Sequence, residues 1–227
     1  MPRLFLGSFL SNEQQVAFAR LKGANSGLDN EWNCHVRWVA AEKLHMTWLF
    51  IGHVNEDTSS SLPGAIGPLI QELQLRERLS IPFDHLEAWS AQGSPRHIVL
   101  VPDRIDSQIV HFAEELRNGL GRFVAGDSKK QASHALIPHI TLMRLSPHGK
   151  ERAKLPVTWA SDSDHPLRNR RKVESDRLDC RQVKGLPELL PLRQSLEVVS
   201  LIESYSQGDS HRYRILKDFP LVECQGD

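Results

Sequence analysis

Short apolar runs, bounded by Gly, Pro, Asn, Asp or Ser, recur along this chain and predict strands, while helical spacing governs fewer stretches. Arg3 to Leu10 reads as a first strand. Ser11 follows, with Gln14 three residues on, the spacing of a capping box, and starts a helix that ends near Lys22-Gly23. Gly23 to Asn33 is rich in Gly, Asn and Asp and reads as a loop. Val36 to Val39 and Leu44 to Ile51 are expected to be two strands joined by a short turn. A second helix is expected after Gly67-Pro68, with Leu69, Ile70 and Leu73 inward. Ile81 to Trp89 and His97 to Val101 form an expected hairpin through Gln92-Gly93-Ser94-Pro95. The clearest helix carries Ile105, Ile109, Phe112, Leu116 and Leu120 at helical spacing, with Asp103 or Asp106 near its start and Gly119, Gly121 and Gly126 at its exit. Leu136 to Leu145, Leu196 to Ile202 and Tyr213 to Leu216 read as the remaining strands. Residues 146 to 195 differ. They carry Pro147, Pro156, Pro166, Pro187 and Pro191 and the run Arg168-Asn169-Arg170-Arg171-Lys172. An irregular stretch this long is unusual inside a compact domain, so we expect a mobile insertion or a segment that orders on binding.

Two of these strands carry related tetrads. His45-Met46-Thr47-Trp48 returns 94 residues later (139 − 45) as His139-Ile140-Thr141-Leu142. With 11 His and four Thr in the chain, chance gives about 0.2 His-x-Thr pairs, and two occur. In an extended strand alternate side chains share a face. His45 and Thr47 therefore point one way, and Leu44, Met46, Trp48 and Phe50 the other. His139 and Thr141 likewise share a face, with Ile140 and Leu142 opposite. The order of elements half-repeats as well, without a short solenoid period. An old duplication into two lobes fits, and two facing lobes bring the tetrads together across a cleft.

Two facing imidazoles suit general acid–base chemistry, because both protonation states are accessible near neutral pH. A hydroxyl two residues along each strand can donate to a phosphate oxygen. The set fits phosphodiester cleavage without a metal.

Composition narrows the classes. Lys plus Arg equals Asp plus Glu, 28 each, which argues against nucleic-acid binding by bulk charge alone and leaves room for a local basic groove. A 40% hydrophobic fraction supports a packed core. Cys34, Cys180 and Cys224 have no zinc or redox spacing and read as reduced thiols of a cytoplasmic protein. The apolar runs are far short of the ~20 residues of a membrane span, and the first residues lack a signal-peptide layout. His134 and His139 are five apart and His45 and His53 eight apart, neither a helical zinc-ligand spacing, so no metal and no cofactor is expected.

The chain resembles the 2H phosphoesterase superfamily, and most of all its RNA 2′,3′-cyclic phosphodiesterase (2′-5′ RNA ligase) branch. Four blocks carry the likeness in family order: Arg3-Leu4-Phe5-Leu6; Leu44 to Gly52 with its Phe-hydrophobic-Gly tail; Pro138-His139-Ile140-Thr141-Leu142-Met143-Arg144; and Leu201-Ile202-Glu203-Ser204 with Tyr213-Arg214-Ile215-Leu216. The loop Gly23 to Asn33 and the segment Ser146 to Ser195 look enlarged against the family pattern. The resemblance implies an α+β fold of two pseudo-symmetric lobes, with antiparallel sheets and flanking helices around a central cleft. It implies one bilobal domain over 1–227. It also implies hydrolysis of a terminal 2′,3′-cyclic phosphate to a 2′-phosphomonoester, and 2′-5′ joining of RNA ends, without ATP or metal. By position His45 is the proton donor and His139 the proton acceptor, with Thr47 and Thr141 on the phosphate oxygens. Arg144 is the candidate for added charge stabilisation. Strict alternation puts it on the Leu142 face, so it reaches the phosphate only where the strand bulges or ends.

Other residues are weighed beside these. Arg168, Arg170, Arg171 and Lys172 read first as a solvated loop and second as RNA contacts. Arg37, Lys43 and Arg96 flank strand ends where they can line a cleft mouth. Trp48, opposite the histidine face, reads as core, and Trp89 is the better stacking candidate among the tryptophans. The expected partners are RNA ends or a small cyclic phosphate, acting on a monomer with no membrane role. A small-nucleotide phosphodiesterase and a non-catalytic RNA-binding module are the alternatives. A metal hydrolase is a further one, which predicts loss of activity with chelator.

Overall fold

The computed structural model describes residues 1–73, 79–91, 94–124, 136–148, 153, 155, 175–207 and 210–221. Its strands in chain order are β1 (Arg3–Phe9), β2 (Cys34–Trp38), β3 (His45–His53), β4 (Ser80–Phe83), β5 (His85–Ala91), β6 (Ser94–Val101), β7 (Ile140–Pro147), β8 (Ser175–Leu178), β9 (Leu192–Ser195), β10 (Val198–Gln207) and β11 (Ser210–Pro220). The helices are α1 (Asn12–Ala24), α2 (Leu28–Glu31), α3 (Glu56–Glu72) and α4 (Ser107–Leu120).

Antiparallel pairing runs in the order β11-β10-β1-β3-β7-β6-β5-β8, with β2 on β7 off this path. The order is a palindrome of roles. β3 and β7 sit in the middle, β1 flanks β3 as β6 flanks β7, and β10 and β11 answer to β5 and β8. The two halves meet through one residue pair, Met46 with Ile140. Strands β4 and β9 make a separate two-stranded sheet.

Each half bulges at the same point. Opposite β1, Gly7 pairs with Thr47 and Leu6 with Leu49, leaving Trp48 as an extra residue. Opposite β6, Val99 pairs with Thr141 and Ile98 with Met143, leaving Leu142 extra. A bulge resets which face later residues occupy. Trp48 is held in the core: its Nε1–H donates to Ser8 Oγ at 2.9 Å, and its ring meets Phe112 of α4 edge-on at 5.1 Å. Gly7 makes room there, since a Cβ would sit 3.0 Å from the Met46 carbonyl oxygen. The helices thus cover the face turned away from the tetrad histidines, with Phe112, Leu116 and Leu120 of α4 and Leu62, Ile66 and Ile70 of α3 buried.

Several elements follow the sequence reading. Ser11 caps α1 with a complete capping box to Gln14, and Asp106 caps α4. Others differ. Helix α3 starts at Glu56, capped by Asn55, and runs through Gly67-Pro68 rather than beginning after it. The helix holds both Pro63 and Pro68, and the buried positions Leu62, Ile66 and Ile70 keep one apolar stripe that tertiary packing rewards. The loop before β2 contains the short helix α2. β2 does not pair with β3 as a neighbour in sequence would; it pairs with β7 from Cys34–Pro147 to Trp38–Met143. The predicted strand Ile81 to Trp89 is two strands, broken at Asp84. The carboxylate of Asp84 accepts the Asp103 backbone N–H at 3.0 Å, and β4 leaves for β9. β7 begins at Ile140, so His139 stands just ahead of it.

Within 146–195, the part from Ser175 to Ser195 is built into both sheets as β8 and β9. Most of the stretch before it, with the Arg168–Lys172 run and Trp159, lies outside the described residues, as do His134 and Cys224. Cys34 and Cys180 are free thiols. No helix among the described residues is long and apolar enough to cross a membrane.

Candidate active site

The two tetrad strands run side by side at the centre of the sheet and open onto one cleft of ≈140 Å³. His45, Thr47, His139, Thr141 and Arg144 all line it, together with Arg3, Phe5, Val39, Lys43, Phe50, Ser204 and Tyr213. The expected site residues are therefore brought together. Arg144 joins them because of the bulge at Leu142, the condition that alternation imposed. The same bulge at Trp48 turns Phe50 into the cleft, where alternation had put it on the Met46 face. Position for position, then, His45, Thr47 and Phe50 match His139, Thr141 and Arg144 at a constant offset of 94.

The histidines are held alike. Nδ1 of His45 lies 2.7 Å from the carbonyl oxygen of Lys43, and Nδ1 of His139 lies 2.9 Å from that of Ile137. A carbonyl oxygen only accepts, so each Nδ1 carries the hydrogen and donates it. In the neutral ring Nε2 is then the basic atom, and in the charged ring Nε2–H is the acid. Both acceptors are two residues upstream.

Their surroundings differ. The His45 ring sits among Phe5 at 5.0 Å, Tyr213 at 5.2 Å and Phe9 at 5.8 Å between centroids. Burial pushes its pKa below the ordinary imidazole value, the bond to the Lys43 carbonyl works against this, and the charge of Arg144 lowers it further. His139 instead packs against the indole of Trp89 at 4.4 Å. Trp89 donates Nε1–H to Glu87 at 2.8 Å. Burial raises the pKa of Tyr213, against the pull of Arg144 and Arg3. Thr47 is buried and Thr141 half-buried.

Arg3, Phe5, Ser204 and Tyr213 were not anticipated as lining residues. They come from β1, β10 and β11, and the register Arg3–Ser204–Tyr213 puts three of them in a row across those strands. The sequence blocks Arg3 to Leu6, Leu201 to Ser204 and Tyr213 to Leu216 marked the strands but not the faces. Of the suggested mouth residues, Lys43 lines the cleft, while Arg37 lies directly across from Arg144 on β2. Trp48 is core, as read from its face.

One group of potential metal ligands exists among the described residues, Asp84, His85 and Asp103, and none of the three lines the cleft. His85 is already engaged, with Nδ1 2.7 Å from Asp84 and 3.0 Å from Asp103. Burial disfavours its charge, but bonds to Glu87 and Asp84 outweigh that and raise its pKa. His53 is exposed at the far end of β3.

No protein-family model and no curated protein sequence matches the chain. Solved structures do. TT0787 of Thermus thermophilus aligns over 96% of this chain and 97% of its own, with 20% identity and a TM-score of 0.60. E. coli LigT complexed with NADP+ covers 98% and 100%, with 20% identity and a TM-score of 0.61. Usb1 of Kluyveromyces marxianus with uridine monophosphate covers 95% and 97%, at 14% identity and a TM-score of 0.50. LigT has also been crystallised with phosphate and with 3′-AMP. These neighbours are 2H phosphoesterase superfamily members. The fold of this chain is the mixed α/β, antiparallel-sheet fold of the 2H phosphoesterases.

Proposed function

We propose that this protein is a metal-independent cyclic phosphodiesterase that opens a terminal 2′,3′-cyclic phosphate of RNA to a 2′-phosphomonoester. The observation that carries the reading is the pair of imidazoles in one cleft, each with Nδ1–H tied to a backbone carbonyl, which makes Nε2 the atom that exchanges the proton. The likeness to LigT, crystallised with phosphate and 3′-AMP, supports a nucleotide phosphate as the occupant.

In the proposed reaction Nε2 of His139 takes a proton from water as its oxygen attacks phosphorus. The P–O3′ bond breaks, and Nε2–H of His45 donates to the departing 3′ oxygen. The product is a 2′-phosphate beside a free 3′-hydroxyl, and the two rings exchange their protons with solvent before the next turn. Thr47 and Thr141 donate to the non-bridging oxygens, and Arg144 offsets the charge that grows on them. His45 needs a proton to act as the acid. In the open cleft its surroundings disfavour one. The bound phosphodiester anion reverses this, because it neutralises Arg144 and sets a negative charge beside the ring. With a 5′-hydroxyl in place of water as the nucleophile, the same step joins the two ends: P–O5′ forms, P–O3′ breaks and the 3′ oxygen takes the proton of His45, leaving a 2′-5′ bond.

The test is incubation of an RNA oligomer ending in a 2′,3′-cyclic phosphate with excess chelator, followed by assignment of the product's phosphate. A 2′-phosphate, unaffected by chelator, is expected. A 3′-phosphate would reverse the leaving group, and inertness toward this and small cyclic phosphates would leave an RNA-binding module.

A further inference from the structure

From the strand register we infer a second phosphate subsite at Arg37, beside the cleft, which makes an oligonucleotide end rather than a mononucleotide the preferred substrate. The inference rests on the proposed function for the position of the first phosphate.

Directly paired residues of an antiparallel ladder share a face, with Cβ atoms about 4.5–5.5 Å apart. Arg37 on β2 pairs with Arg144 on β7, and Arg144 pairs with His97 on β6. Arg144 lines the cleft, so Arg37 and His97 stand on the cleft side of the same row. Like charges set directly across a ladder are destabilising. Yet Arg37 and Arg144 have no carboxylate within ion-pair reach among the described residues; the ion pairs of Arg177, Arg181 and Arg214 lie elsewhere. Burial, and then the charges of Arg144 and Arg96, also lower the pKa of His97 at the other end of the row. Two adjacent guanidinium charges, Arg37 and Arg144, call for an anion larger than the single phosphate that the catalytic pair surrounds.

Among the described residues β2 has no counterpart in the palindrome, being the one strand of the large sheet off its path. It extends the cleft face outward from Arg144 on one side only. The next residue on that face is His35, exposed, with Nε2 3.1 Å from Nδ1 of His148. An RNA end seated with its cyclic phosphate between His45 and His139 has its next phosphodiester one nucleotide upstream. Arg37 is exposed and long enough to take that group while Arg144 stays on the first.

Calorimetric titration with 2′-phosphorylated products of one and two nucleotides tests this without depending on turnover. The dinucleotide should bind the unaltered protein about fivefold tighter than the mononucleotide, the size of an exposed charge contact. Arg37→Ala should abolish that ratio and lower the salt slope of dinucleotide binding by about 0.7. Arg37→Lys should restore part of it. A methylphosphonate linkage in the dinucleotide should abolish the ratio in the unaltered protein, which removes any question of folding. A ratio near one, or one that survives Arg37→Ala or the neutral linkage, overturns the subsite. Failure of the hydrolase reading looks different: neither cyclic phosphate is opened while the Arg37-dependent ratio persists.

Discussion

The two halves of the cleft share a backbone and differ in what surrounds it. In both, a histidine is fixed by the carbonyl two residues before it, a threonine follows on the same face, and a bulge brings the residue three after the threonine back into the cleft. In the first half that residue is Phe50, and His45 is packed among Phe5, Phe9 and Tyr213. In the second it is Arg144, and His139 leans on Trp89. The pairings Phe5–Phe50 and His97–Arg144 are equivalent by register, so one apolar pair answers to one polar pair that carries the Arg144 charge. Backbone symmetry supplies two matched imidazoles. Side-chain asymmetry sets them in unlike fields, which is what acid and base roles require.

Removing either ring tests the shared part of this design and has the largest effect. His45→Ala and His139→Ala are each expected to lower kcat by about 10²–10⁴ on a cyclic-phosphate substrate. The double variant should lose little more than the worse single one, because the two rings act in one transition state. Near-native turnover by either single variant would sink the two-histidine mechanism. Next come the hydroxyls. Thr47→Val and Thr141→Val keep the shape of each strand and remove one donor each, for an expected loss of about 10²-fold in kcat. Loss in KM alone would move the threonines from transition-state to ground-state binding.

Arg144→Ala sharpens the asymmetry through pH. Burial first, and then the Arg144 charge, disfavour protonated His45 in the unliganded cleft. As a donor His45 must carry its proton, so kcat/KM falls as pH rises through a value below about 6.5. The kcat profile, which reports the complex, should fall at higher pH, since the bound anion favours the proton. Removing Arg144 removes a repelling charge, so the alkaline limb of kcat/KM moves up while its height drops about tenfold or more. If the acid limb moves up instead, His45 is the base and the two roles exchange.

The same comparison shows what was legible in the chain. The tetrads, the capping box at Ser11 and the apolar stripe of α4 are local signals: both tetrads line the cleft, and the cap and the stripe form. The bulges are not local. Trp48 and Leu142 look like ordinary alternating residues, and only pairing against β1 and β6 shows that each is one residue too many. That single insertion decides the placement of Phe50 and Arg144. Long-range pairing also hid the partner of β2, since proximity in sequence favours β3. Arg3, Ser204 and Tyr213 were invisible for a like reason: their row forms only when the two ends of the chain pair. In α3 the pair Gly67-Pro68 read as a helix start, which hid Leu62 and Ile66; of the residues expected inward, Ile70 is buried and Leu69 and Leu73 are half-buried.

The smallest effect separates the halves at their strand ends. β3 irregularity recurs between the pairs Leu4–Gly52 and Phe5–Phe50, and Gly52 there has φ of +92°. A side chain in that conformation is strained by about 1–3 kcal/mol. Gly52→Ala should therefore lower Tm by several degrees, at about 2–4 °C per kcal/mol for a chain of this size. Activity should fall less, because Phe50 shifts while His45 and Thr47 lie on the far side of the first bulge. The position equivalent by the offset of 94 is Ser146, exposed and without positive φ. Ser146→Ala is expected to leave Tm within about 1 °C, as for other surface changes. Differential scanning calorimetry of the two variants side by side reads the contrast. Equal shifts would mean that the second irregularity of β3 has no structural weight, and that the halves diverge in side chains alone.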